Sequence, residues 1–97
     1  MAEHARIVRL ARYRSQPGSA DQLWDALHAL AVGMRSLPGL FGAQVGRLRE
    51  DPEWMVLVAR WESESAMQAT GNSAVDELVD RVGGLAEEQR VEHFVAE

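Results

Sequence analysis

Apolar positions in the first half of the chain predict a strand followed by a helix. The run from Arg6 to Arg14 mixes apolar residues with arginines and ends at Ser15-Gln16-Pro17-Gly18, which is a turn sequence. From Leu23 to Met34 the apolar residues recur at the three- and four-residue spacing of an amphipathic helix. Pro38-Gly39 cannot continue that helix, so it should end near Leu37.

A hairpin follows. The segment from Leu40 to Arg49 alternates, with Phe41, Ala43 and Val45 on one side, and predicts the second strand. After an acidic turn, the run from Trp54 to Trp61 is apolar at nearly every position and predicts the third strand.

The last third of the chain predicts two helical pieces and a strand. Ser63 is a candidate N-cap for a helix that reaches Thr70, and a second piece should run from Ser73 to Val82. Gly83-Gly84 should stop it, and Val91–Val95 reads as the last strand.

The resulting order is β-α-β-β-α-β, which is the ferredoxin-like pattern of the α+β class, with a four-stranded antiparallel sheet. The 97 residues are enough for one hydrophobic core, so residues 1–97 are predicted to form a single domain.

The third strand also predicts a partner. Its even positions, including Val56 and Val58, are as apolar as its odd ones, and two helices can cover only one face of a sheet. The other face would expose these valines together with Val8, Leu10 and Trp54, which a monomer rarely tolerates. We therefore expect a homodimer that forms through the open face of the sheet.

Composition narrows the chemistry. The chain has no cysteine, and all ten basic residues are arginine, which excludes thiolate and lysine Schiff-base nucleophiles. A net charge of −5 with scattered arginines disfavours nucleic acid as a partner. The apolar runs are shorter than the roughly 20 residues of a membrane span, the N-terminus has no leader pattern, and the three histidines lack ligand spacing. We expect a cytoplasmic protein without a metal site or membrane contact.

Two local motifs resemble the antibiotic biosynthesis monooxygenase family of dimeric α+β barrels. They are Leu37-Pro38-Gly39 before the second strand, and Val58-Ala59-Arg60-Trp61-Glu62-Ser63-Glu64-Ser65-Ala66 at the end of the third. The resemblance extends over nearly the whole chain and implies the dimeric barrel fold. Family members include cofactor-free oxygenases that convert polyketide anthrones to quinones, haem-degrading enzymes and quinol oxygenases.

The resemblance implies one active-site residue, Trp61, which matches the family tryptophan of the pocket between sheet and helices; the alternative is simple core packing. The polyketide oxygenases carry an asparagine four residues before it and a tyrosine six after it, where this chain has Leu57 and Met67. Haem degradation needs an axial histidine on the second helix, and Ser73–Val82 has none.

Two further residues are candidates for catalysis. His28, one helical turn after Trp24, is a candidate proton acceptor, and its alternative is a half-exposed helix histidine. Arg9 is a candidate to hold an anionic substrate or a developing oxyanion, and its alternative is an ion pair at the barrel rim. The predicted substrate-binding wall consists of Tyr13, Trp24, Leu27, Met34, Leu57 and Met67.

The leading functional hypothesis is a cofactor-independent monooxygenase that acts on a planar aromatic polyketide- or quinol-like molecule. Two alternatives stay open: a non-catalytic binding or interaction module on the same dimeric barrel, and a polyketide cyclase or isomerase.

Overall fold

A computed structural model describes residues 6–69 and 71–96 of the chain. In chain order the elements are β1 (Arg6–Ser15), α1 (Ala20–Met34), β2 (Leu40–Arg47), β3 (Trp54–Trp61), α2 (Glu64–Gln68), α3 (Ser73–Leu85) and β4 (Ala86–Ala96). The four strands form one antiparallel sheet in the order β2-β3-β1-β4. The predicted α+β class and ferredoxin-like order are confirmed.

The Pro38-Gly39 turn lies between α1 and β2 and contacts the end of β3. The amide of Leu40 donates to the carbonyl of Leu37 at 3.3 Å, and Gly39 has φ 81°, so the turn needs a residue that tolerates the left-handed region. The carbonyl of Gly39 accepts from the amide of Glu62 at 2.8 Å. A Cβ on Gly39 would lie 2.5 Å from the Cβ of Ala66. The two sequence motifs are therefore in direct contact and have a structural role in the fold.

Side-chain caps begin the two helical pieces after β3. The hydroxyl of Ser63 accepts from the amide of Ala66 at 3.1 Å, as predicted for the start of α2. The Oδ1 atom of Asn72 accepts from the amides of Ala74 and Val75 at 3.0 and 3.1 Å, so α3 starts where the sequence predicts.

The end of α3 differs from the prediction. The helix continues through Gly83 and Gly84 to Leu85, and β4 begins immediately afterwards instead of at Val91. Each glycine costs a helix only about 1 kcal/mol, and Gln16 stabilises the helix end. Its amide donates to the carbonyl of Leu85 at 3.0 Å, and its Nε2 donates to the carbonyl of Gly84 at 3.1 Å.

The two faces of the sheet have different surroundings. On the helix side, the odd-numbered residues of β1 and β3 pack under α1, α2 and α3, and the buried ones are Ile7, Ala11, Tyr13, Ser15, Met55, Leu57, Ala59 and Trp61. On the open face, the described residues place no helix, and its apolar side chains are the half-buried Val8, Leu10, Trp54, Val56 and Val58 and the 48% exposed Phe94.

Phe41 departs from the predicted alternation of β2. The pairing with β3 shifts between Leu40 and Gly42, so Phe41 falls in an irregularity of the strand. It is 60% exposed, and the guanidinium of Arg6 lies 5.3 Å from its ring centroid. Ala43 and Val45 do pack against the core.

Candidate functional site

Strand pairing arranges the helix side of the sheet in rows that cross the strands. We call the row that contains Arg9 the Arg9 row, and its members, from β2 to β4, are Ala43, Ala59, Arg9 and His93. Trp61 lies in the row on one side, and Leu57 lies in the row on the other. The alanines leave the Arg9 row with small side chains between two large apolar ones.

Trp61 is 3% exposed, and its indole Nε1 is buried without a hydrogen-bond partner among the described residues. An unsatisfied buried donor costs about 1–3 kcal/mol, which is why such groups are rare. A ligand oxygen that reached this nitrogen would remove the cost. The burial also satisfies the alternative of core packing, so the geometry is compatible with both interpretations of Trp61.

Tyr13 and Arg9 form a polar pair on the same side of β1. Burial raises the pKa of the Tyr13 phenol above its usual value of 10.0, while the charge of Arg9 and a side-chain hydrogen bond from it act in the opposite direction. Burial is the largest of these effects. The pair therefore places a fixed positive charge beside a phenolic hydroxyl inside an otherwise apolar layer.

The helix side of the sheet that holds this pair is otherwise apolar. Leu27, Met34 and Leu57 are buried in the core, and Trp24 and Met67 pack against it from partly exposed positions. The predicted substrate-binding wall therefore lies on the helix side, which also holds Trp61 and Arg9, although Trp24 and Tyr13 lie towards the end of the sheet that is far from Trp61.

His28 lies elsewhere. Its side chain is exposed, its Nδ1 is 3.0 Å from the carbonyl oxygen of Trp24, and the two rings meet edge-on at 4.3 Å. The guanidinium of Arg47 lies 5.8 Å from the Trp24 ring, and the strand position of Arg47 is three rows from that of Trp61, which corresponds to about 20 Å along a strand. The structure does not bring His28 next to Trp61, and its catalytic role stays a prediction.

His93 is the residue that sequence reasoning missed. Its place near the C-terminus gave it no role, yet the pairing of β1 with β4 sets it directly opposite Arg9 on the helix side. The available signal was the alternation of β4. If Val91 faces the core opposite Ala11, His93 must lie opposite Arg9.

The two most prominent clefts of the described residues lie mainly on the open face. One, of about 760 Å³, includes Leu10, Val56 and Trp54 in its lining, with arginines at its rim. The other, of about 290 Å³, is lined by Val8, Phe41 and Arg60, and Trp61 also contributes to its wall. Neither corresponds to the predicted pocket between the sheet and the helices.

Within residues 6–69 and 71–96, no group of three or more histidine and acidic residues is placed to hold a metal ion. No helix in the described part of the chain is long and apolar enough to cross a membrane.

The fold and the polar pair define the class of protein: a ferredoxin-like α+β domain with an arginine and a tyrosine inside the covered side of its sheet. The model of the family described as antibiotic biosynthesis monooxygenase matches residues 6–75. This is more than half of the sequence, so the chain belongs to that family. His93 lies outside the matched residues.

Solved structures share the fold. A Shewanella oneidensis protein is 22% identical over 97% of this chain and 96% of its own, with a TM-score of 0.83. A candidate antibiotic biosynthesis monooxygenase from Chloroflexus aurantiacus is 20% identical over 96% and 94%, with a TM-score of 0.84. A Bacteroides thetaiotaomicron protein of unknown function, described as a possible oxidoreductase, is 14% identical over 97% and 100%, with a TM-score of 0.88. The search of curated proteins gives no match.

Proposed function

We propose that this protein is a cofactor-independent monooxygenase that acts on a planar, electron-rich aromatic molecule of the polyketide or quinol type. Membership of the family supports the reaction class. The observation that carries the proposal for this chain is the polar pair of the half-buried Arg9 and the buried Tyr13, which lies at the edge of the apolar layer on the side of the sheet that holds Trp61.

The chemistry follows from this pair. An anthrone-type substrate loses a proton to water, and its anion passes an electron to molecular oxygen. One oxygen atom then enters the ring methylene as a carbonyl, and the other leaves as water, so that CH₂ and O₂ give C=O and H₂O. Arg9 stabilises the developing negative charge, because a fixed cation beside an apolar layer is less screened than one in water and acts on a nearby anion. Trp61 forms an aromatic wall against the flat substrate.

A non-catalytic binding module on the same fold is the second candidate. The positions at which the polyketide oxygenases carry asparagine and tyrosine hold Leu57 and Met67. Leu57 is 1% exposed within the core, and neither side chain donates a hydrogen bond. This observation favours binding without chemistry.

We also propose a homodimer through the open face. Its centre is formed by apolar side chains on the three strands β1, β3 and β4: Val8, Leu10, Val56, Val58 and Phe94. Arg12 and Glu92 form an ion pair at 3.3 Å on the same face. β2 contributes Gly42, Gln44 and Gly46 there, so its edge carries one exposed polar side chain between two glycines. A second copy of the chain has the same apolar open face, so two copies can cover each other's apolar side chains.

Oxygen consumption with 1,8-dihydroxyanthrone tests the oxygenase. We expect a rate above that of buffer, with formation of the quinone, and a loss of at least tenfold in Arg9→Gln, because one charge-assisted contact stabilises by about 1.5–3 kcal/mol. Arg81→Gln, on the exposed surface of α3, is the matched control. Binding of the anthrone without oxygen uptake beyond the buffer rate would instead support the binding module.

A further inference from the structure

Arg9 and His93 are direct neighbours on the helix side of the sheet. They are paired residues of the antiparallel strands β1 and β4, so their side chains leave the sheet on the same face, with Cβ atoms about 4.5–5.5 Å apart. On the other side of Arg9 lies Ala59, which is 1% exposed and too small to separate Arg9 from the core. The pair therefore lies at the border between the packed interior and the solvent.

The helices leave the β4 end of this row accessible. His93 is exposed, and Val95, the next residue of β4 on the same face, is 64% exposed. Val91, the previous residue on that face, packs against the core. A molecule that approaches along the β4 edge therefore meets His93 first and Arg9 behind it.

The position of the Arg9 side chain leaves part of its guanidinium for a ligand. Its charge acts on the phenol of Tyr13, four residues further along the same face of β1, so the guanidinium lies towards Tyr13. Arg9 carries five N–H donors in a planar fork, and one contact to Tyr13 leaves other donors for a ligand. His93 contributes an N–H donor in either of its protonation states.

We propose that Arg9 and His93 together form an anion-binding subsite that holds the carboxylate or phenolate oxygen of a planar aromatic ligand at the β4 edge. The aromatic part of the ligand rests on the proposed function, while the anion contact rests on the strand pairing alone. His93 takes the place that His28 would have in a proton- or charge-handling role, because His28 faces solvent on α1 and contacts Trp24 instead of Arg9.

Binding of two matched probes tests the subsite. Anthraquinone-2-carboxylate and its neutral carboxamide share a ring system and differ in charge. We expect the carboxylate to bind more tightly in calorimetry. Arg9→Gln and His93→Gln should each weaken carboxylate binding about tenfold to a hundredfold, the range of a charge-assisted contact, and leave carboxamide binding within about twofold. Arg81→Gln should leave both affinities unchanged.

Histidine Cε1 signals in ¹H–¹³C spectra give a second readout on the wild-type protein. The signal that disappears in His93→Gln belongs to His93, and the one that disappears in His28→Gln belongs to His28. We expect the carboxylate to shift the His93 signal and not the His28 signal. Equal affinity for the two probes, no binding of either at millimolar concentration, or equal effects of His93→Gln and Arg81→Gln on carboxylate binding would each overturn the subsite.

The outcomes separate this proposal from the oxygenase. Preferential carboxylate binding through Arg9 and His93 without oxygen uptake would leave the subsite and remove the reaction. Oxygen uptake with the neutral anthrone, together with equal binding of the two probes, would keep the reaction and remove the subsite.

Discussion

Tyr13 is the only tyrosine of the chain, so the absorbance of tyrosinate reports this one buried residue. Burial raises its pKa above 10.0, and we expect a titration midpoint above that value in the folded protein and close to it in urea. Because the folded state keeps the proton longer, the Tyr13 contribution to stability is complete below about pH 10 and is lost as the pH rises towards the folded pKa. Unfolding free energies measured across this range should fall less steeply in Tyr13→Phe than in the wild type.

Replacement of Arg9 tests the polar pair directly. The charge and hydrogen bond of Arg9 lower the pKa of Tyr13, so Arg9→Gln should move the tyrosinate midpoint further upwards. Arg81→Gln removes a charge of the same sign from α3 and should leave the midpoint in place. An Arg9→Gln midpoint equal to that of the wild type would show that the two side chains are not in contact.

Gly39 and Gly18 form a matched pair that separates backbone strain from overpacking. Both have left-handed φ, at 81° and 80°, but only Gly39 has a close neighbour, the Cβ of Ala66, in the place of a new Cβ. Gly18→Ala should therefore cost about 1–2 kcal/mol from the backbone alone. Gly39→Ala adds overpacking and should cost about 2–4 kcal/mol in urea unfolding. Equal losses would mean that the contact with α2 relaxes freely.

At the scale of elements, α3 offers a stabilising change. Gly83 and Gly84 are inside the helix without positive φ, and a Cβ on either would meet nothing within 4 Å. Alanine at each position should raise the unfolding free energy by about 0.5–1 kcal/mol, because it restricts the unfolded chain and favours the helix. Gly33→Ala is the contrast, since its Cβ would lie 2.7 Å from Cδ1 of Leu78 where α1 and α3 meet. Gly33→Ala should therefore not raise the unfolding free energy.

The bounds of β3 and α3 show how far sequence reasoning reaches. β3 was predicted with its bounds from Trp54 to Trp61, because continuous apolar residues between two turns have few other solutions. The stop at Gly83-Gly84 was wrong, because the local cost of glycine is offset by Gln16, a residue distant in sequence that binds the helix end. Capping by a distant residue leaves no local pattern.

In the candidate site, too, local patterns were predicted and contacts between distant segments were not. Hydrophobic alternation was sufficient to place Trp61, Leu57 and Tyr13 on one side of the sheet. It was not sufficient for His93, whose neighbour depends on the register of β1 against β4, two strands at opposite ends of the chain. Register is set by the whole hydrophobic pattern, and a shift of one residue would turn His93 to the open face.

At the scale of the whole molecule, the two faces of the sheet have separate tasks in our proposals: the helix side binds the ligand, and the open face binds a second copy. Sedimentation velocity should therefore find twice the mass of one chain at micromolar concentration. Val58→Glu places a carboxylate among apolar residues at the centre of the open face, and it should shift the protein to the monomer.

Val79→Glu is the matched control for this change, because it introduces the same group on α3 at a valine that is already 48% exposed. It should leave the dimer intact. Circular dichroism of Val58→Glu separates dissociation from unfolding, and a folded monomer is the expected product. A wild-type protein that sediments as a monomer would contradict the dimer whatever the variants do, since its open face would then tolerate water with Val8, Leu10 and Val58 uncovered.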